Sequence, residues 1–247
     1  MSDDFDQYTQ FDHAAAEKQL ADAKKGGDSF RLKLAEGKYR LRMLPGKGGE
    51  SPMLAFWEHS IRLPGDEFAM FTCPLKQVGK PCPACAKSDL LAKGGSEADL
   101  KAAKNYAPKK RAMANFIDRA AEAEGPKVWT FGAMKAKGKD SVYERLLFLL
   151  TDSDLGRNYV HPVEGFDLIV IRTGKGLDTT YSCSIDERRG ALPLSEDRET
   201  AIGWLSRMKD LKRLTGLLPV DELEARMRGE KPQRDGNKPT AQDHMDR

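Results

Sequence analysis

Residues 53–95 read MLAFWEHSIRLPGDEFAMFTCPLKQVGKPCPACAKSDLLAKGG, and inside them His59-x13-Cys73-x8-Cys82-x2-Cys85 gathers three of the four cysteines and one of the four histidines into 27 residues. These are four soft or borderline donors, the complement of one tetrahedral structural Zn²⁺. In Pro81-Cys82-Pro83-Ala84-Cys85 a two-residue spacer lets one tight turn aim both thiols at the same metal. Met53 to Leu63 and Phe68 to Thr72 read as strands joined by the turn Pro64-Gly65-Asp66-Glu67, a hairpin that carries His59 and Cys73 to the same place.

Competing uses of these residues fare worse. A redox dithiol should follow a strand in a βαβ context, and no such alternation surrounds Cys82. A disulfide pair and unrelated buried cysteines are the other bland alternatives. A nucleobase deaminase needs His-x-Glu before its Pro-Cys-x-x-Cys; here His59 is followed by Ser60 and Ile61, and Glu58 points to the opposite strand face. A fourth protein ligand also closes the position that catalytic zinc keeps open. The remaining histidines, His13, His161 and His244, are scattered, and no nucleophile–base pair declares itself, so the chain does not read as an enzyme. Cys183, in Tyr181-Ser182-Cys183-Ser184-Ile185, reads as a small buried hydrophobe.

With 247 residues, 39% hydrophobic and 32% charged, the chain holds one large domain or two small ones with a modest core. No apolar run approaches the roughly 20 residues of a membrane span. The acidic start Met1-Ser2-Asp3-Asp4-Phe5-Asp6 is unlike a signal peptide, so a reducing cytoplasm is expected. The net charge of +3 is unevenly spread: residues 1–30 carry 3 basic and 7 acidic side chains, residues 76–147 carry 15 basic and 8 acidic. That segregation is the footprint of a polyanion binder.

Residues 1–29 read as an acidic segment with an alanine-rich helix from Asp12 to about Gly26. Phe30, Leu32 and Leu34 alternate with Arg31 and Lys33, and Tyr39, Leu41 and Met43 alternate with Lys38, Arg40 and Arg42, which predicts a hairpin with one apolar and one basic face. Helices are expected over Pro83–Lys93, from a Ser96 cap to Tyr106, and from a Ser141–Glu144 capping box through Leu150. Ala112–Asp118 with Lys127–Gly132, and Phe166–Thr173 with 178–185, read as hairpins. A last helix capped by Ser195 carries Ala201, Trp204, Leu205, Met208 and Leu211 on one face, and residues 221–247 read as a disordered tail. Together these predict an α+β chain: a Greek-key barrel of the oligonucleotide-binding (OB) type over residues 30–220, with a zinc subdomain at about 53–95 and peripheral helices.

The combination resembles the zinc-containing single-stranded DNA-binding, or helix-destabilising, proteins of T-even-like phages. The resemblance runs from about Phe30 to Ile185. It rests on Gly37-Lys38-Tyr39-Arg40-Leu41-Arg42-Met43-Leu44-Pro45, on the four ligands in order, and on Lys109-Lys110-Arg111 before Ala114-Asn115. Glu124-Gly125-Pro126-Lys127-Val128-Trp129-Thr130-Phe131-Gly132 completes it. It implies an OB core with a zinc subdomain and cooperative coating of single strands in replication, recombination and repair. Partners implied are single-stranded DNA, further copies along the strand, and replication and recombination proteins. The family's basic N-terminal segment and acidic C-terminal tail have no counterpart here; residues 221–247 carry 6 basic and 7 acidic side chains.

A sequence-tolerant binder of single strands needs a cationic track with aromatic platforms. Arg40, Arg42, Lys109, Lys110 and Arg111 are the phosphate candidates. Tyr106, Trp129 and Phe131 lead the aromatic ones, ahead of Tyr39, Trp57 and Phe116. A zinc-stabilised adaptor that binds protein or duplex DNA is the alternative, although no helix with clustered base-reading side chains is evident.

Overall fold

Apolar side chains at every second position from Tyr39 to Met43 mark the first strand of the sheet, with Leu41 and Met43 buried. The computed structural model describes residues 30–64, 67–134, 141–151 and 158–230. The acidic segment and helix expected in residues 1–29 lie outside the described residues, as do the turn at 65–66 and residues 231–247.

In chain order, β1 (Gly37–Met43), β2 (Met53–Arg62) and β3 (Phe68–Thr72) precede the helices α1 (Pro74–Val78), α2 (Pro83–Gly94) and α3 (Glu97–Tyr106). There follow β4 (Lys109–Asp118), β5 (Lys127–Gly132), α4 (Val142–Thr151), β6 (Leu168–Thr173) and β7 (Thr180–Ile185). Helices α5 (Arg198–Ser206), α6 (Leu211–Leu214) and α7 (Val220–Met227) close the described chain.

The seven strands form one antiparallel sheet centred on β4. Its first half pairs with β2, from Lys109↔Glu58 to Ala114↔Met53. Its end pairs with β1, and residues Arg111–Phe116 pair with β5. Side chains alternate across β4, so Ala112, Ala114 and Phe116 join Leu41, Met43, Trp129, Phe131 and Leu146 in one core. Met113 packs with Phe56 and Val128, and Ile117 with Leu44, Leu194 and Trp204, beneath the C-terminal helices. Residues 112–117 are accordingly buried without interruption.

The α+β class expected from the sequence is the class observed. Among the described residues the strand pairings make an open sheet and include no closure between β3 or β5 and β7. Residues 30–34 do not form the expected hairpin with β1. Leu32 donates to the Val128 carbonyl at 2.9 Å and Val128 to that of Phe30 at 2.8 Å, so this stretch lies along β5. Pattern gives a strand's faces, not its neighbour. The tail expected to be disordered from 221 begins instead with α7, because Leu223 is fully buried against the cysteine module and Arg226 donates to the Met70 carbonyl at 3.2 Å. The helix expected to run from a Ser195 cap to Leu211 breaks after Ser206; Asp197 is its cap, accepting from the Thr200 amide at 2.8 Å.

Candidate metal centre

His59, Cys73, Cys82 and Cys85 are all buried, and their ligand atoms lie within 4.8 Å of one another. His59 stands mid-β2, opposite Phe71 of β3. Cys73 directly follows β3 and caps α1, its Sγ accepting from the Lys76 amide at 3.4 Å. Cys82 caps α2, where Pro83 at the first helical position starts the helix without an orphaned amide, and Cys85 follows on the first turn. One strand, one strand end and one helix start thus converge, and the positive end of α2 favours thiolate at two ligands.

Three of the separations come close to those of a bound metal. A tetrahedron with Zn–S about 2.3 Å and Zn–N about 2.0 Å has edges of roughly 3.5–3.8 Å. Cys73 Sγ and Cys85 Sγ are 3.5 Å apart, and His59 Nε2 lies 3.3 Å from Cys82 Sγ and 3.7 Å from Cys85 Sγ. All the cysteines are free thiols, so no disulfide competes for these sulfurs. His59 Nδ1 sits 2.7 Å from the Tyr106 carbonyl, which only accepts; Nδ1 therefore carries the proton and Nε2 turns its lone pair to the sulfurs.

In the protein without metal the three thiols divide protons unequally. Contact with Cys73, then burial, pushes Cys82 up to about 11, and burial first pushes Cys85 up to about 11. Cys73 is held lower, chiefly by the bond from Cys82. A cation entering the pocket displaces these protons, so its affinity rises with pH.

The other candidates are not brought together. Arg42 is 0% exposed and paired to Asp167 at 3.5 Å, with its guanidinium also donating to the carbonyls of His161 and Leu192 at 2.9 and 2.8 Å. Burial pushes its pKa down to about 10. Arg42 is therefore a structural cation under the 158–194 segment and no phosphate contact. Gly165 belongs to that arrangement, since a Cβ there would lie 2.5 Å from the Arg42 guanidinium. Trp129 and Phe131, at 3% and 2% exposure, are core side chains whose rings pack on each other at 4.9 Å. Their groove role is withdrawn: strand alternation left both faces open, and α4 covers this one.

Arg40 is partly exposed but bonded to Asp186 at 2.9 Å. The run Lys109-Lys110-Arg111 is divided by the pleat. Arg111 lies 3.6 Å from Glu58, whose carboxyl burial pushes upward, and Lys109 pairs across from Glu58. Lys110 projects to the other face, opposite Trp57, with its amine 5.9 Å from the Tyr143 ring centroid. Lys76 stands 5.9 Å over Trp57. Tyr106 is half-buried against the cysteine module, its ring 4.5 Å beneath the Lys87 amine. Trp57, Lys110 and Tyr143 are thus neighbours on one face. Tyr143 was readable only as a capping-box helix residue, since nothing in sequence links it to a lysine 33 positions earlier.

Fold and site define an α+β protein with a buried His-Cys₃ site of the zinc type. No protein-family model matches the chain, and no curated protein matches it. No helix among the described residues is long and apolar enough to cross a membrane.

Proposed function

We propose that this chain is a sequence-tolerant single-stranded DNA-binding protein of the replication, recombination and repair type, stabilised by one structural Zn²⁺ at His59, Cys73, Cys82 and Cys85. The observation that carries the reading is the strip Lys76–Trp57–Lys110–Tyr143, where amines stand over two part-exposed aromatic rings beside the cysteine module. Cations and ring faces in alternation are what phosphates and unstacked bases require. Residues 76–147, which supply Lys76, Lys110 and Tyr143 of that strip, carry 15 basic against 8 acidic side chains. The fold supports an OB-type core in a looser form: β5-β4-β1-β6-β7 is a five-strand path that curls over one hydrophobic cluster. Four protein donors leave no position for a reactive water, which fits a binding protein without catalysis. Thiols kept for metal fit a reducing cytoplasm.

An adaptor that docks protein through its zinc module is favoured by a separate observation, the exposed Phe68, Met70, Leu75 and Val78 around β3 and α1. Titration of the zinc-loaded protein with an unlabelled dT oligonucleotide and with duplex of equal length separates the two. Single-strand preference that weakens steeply with salt supports the proposal, and equal or absent binding overturns it.

A further inference from the structure

A cavity of about 630 Å³ opens between the loop after β1 and the segment joining α5 to α6, within the roughly 300–1,000 Å³ range of ligand sites. Its walls are built rather than loose. Asn115 clamps Lys209 with two hydrogen bonds of 3.0 Å, one to its carbonyl and one from its amide. Gly46 admits no Cβ, which would fall 2.1 Å from the Glu50 carbonyl oxygen, so the 46–50 loop is closed on itself. Met53, Leu54, Met208 and Leu211 supply apolar lining. Lys47, Lys209 and Lys212 face two carboxylates, Glu50 and Asp210, a balance of +1. Both carboxylates are engaged: Glu50 pairs with Lys212 at 2.6 Å, and Asp210 caps α6, accepting from the Arg213 amide at 3.2 Å.

We propose that this cavity takes an acidic, aromatic peptide and that its occupant is the chain's own segment Asp3–Asp12. That segment carries Phe5, Tyr8 and Phe11 with four aspartates and no basic residue, matching a lining of apolar side chains and three lysines. Its point of attachment is adjacent. Phe30 lies 5.8 Å beneath the amine of Lys209, a lining residue, and packs on the same core cluster as the lining residues Leu54 and Leu211. The 17 residues between Asp12 and Phe30 span up to roughly 56 Å when extended, so the segment reaches the site on its own chain. Tethering places it there at an effective concentration on the order of millimolar, which favours it over a second copy. The other end of the described chain leaves elsewhere, with Gly229 beside Leu63 of the cysteine module, and residues 231–247 carry 4 basic and 3 acidic side chains.

Zero-length carbodiimide cross-linking of the full-length chain, followed by peptide mass spectrometry, tests this independently of DNA binding. The protein is mixed from equal parts of light and heavy-isotope material. Same-isotope links from Asp3, Asp4, Asp6 or Asp12 to Lys47, Lys209 or Lys212 are expected. They should be lost in the full-length Phe5→Ala/Phe11→Ala variant, while the Glu50–Lys212 link persists as proof of an intact cavity. Mixed-isotope links, links to the lysines of residues 76–104, or unchanged links in the variant overturn the proposal, as does an absence of links from residues 3–12 while Glu50–Lys212 forms.

Discussion

The ring of Trp129 touches that of Tyr181, centroids 5.5 Å apart at 59°, although β5 and β7 stand at opposite ends of the path β5-β4-β1-β6-β7. Twist and coiling therefore fold the sheet over far enough for its ends to share a core side chain. Trp129 also packs edge-on to Phe116 at 5.7 Å, so one indole joins three strands. Trp129→Ala should cost about 3–5 kcal/mol of folding stability, read as a lowered urea midpoint. A variant with wild-type midpoint would show that the curled sheet does not depend on this contact.

Metal removal should act locally first. The cysteine module has a small core, with Ile61, Ala69, Phe71, Ala84 and Leu223 buried besides the cysteines and Trp57, Leu63, Tyr106, Leu218 and Met227 partly buried against it, to hold three short helices and an edge strand. Structural zinc contributes folding energy outright in such modules. Purified protein should contain one zinc per chain, Cys82→Ser should lose it, and chelation should open residues 68–106 to protease while β4–β7 stay protected. Full protease resistance after complete chelation would assign the module's stability to packing alone.

Without metal, alkali should weaken the protein. Cys82 and Cys85 titrate near 11 in the folded pocket against an ordinary 9.0, so the folded state holds those protons more tightly than the unfolded one. Their contribution is complete below pH 9 and is lost as pH rises toward 11; the lowered Cys73 offsets part of it. The zinc-loaded protein should show the opposite trend on the acid side, where protons compete for the thiolates. Urea midpoints of the metal-free protein that stay flat from pH 8 to 11 would contradict a shared, buried thiol cluster.

The metal ligands were legible because metal chemistry is local: donor types and spacers within 27 residues are enough to name all four. Strand faces were legible too. Tyr39, Leu41 and Met43 do face the apolar core, and Ser141 with Glu144 does make the capping box, through bonds of 3.2 and 3.0 Å. What covers a face was not legible. Arg42 looked like a surface cation until Asp167, 125 positions away, closed over it, with Arg119 at 3.0 Å on the same carboxylate. Trp129 looked available until α4 and Tyr181 enclosed it. Both errors arise from long-range partners, to which a period of two is blind. The helix α7 escaped for the same reason, since Leu223 gains its burial from the distant cluster of Ile61, Ala69, Phe71 and Ala84.

If the strip beside the module carries DNA, charge and stacking separate by mutation. Lys110 sets its amine near Tyr143 and stands opposite Trp57 in the ladder, so on that reading it would neutralise phosphate where bases would stack. Lys110→Ala should weaken binding to every single-stranded sequence and flatten the log–log salt slope by roughly 0.7. Trp57→Ala should cost on the order of 1–3 kcal/mol with the slope nearly unchanged. Trp57 is only part-buried and joins the ladder through its backbone, its carbonyl accepting from the Cys73 amide at 2.8 Å, so the substitution leaves the metal site in place. Zinc content therefore serves as the control. Zinc-replete Trp57→Ala and Lys110→Ala proteins that bind dT oligonucleotides with wild-type affinity and salt slope would move the track off this face.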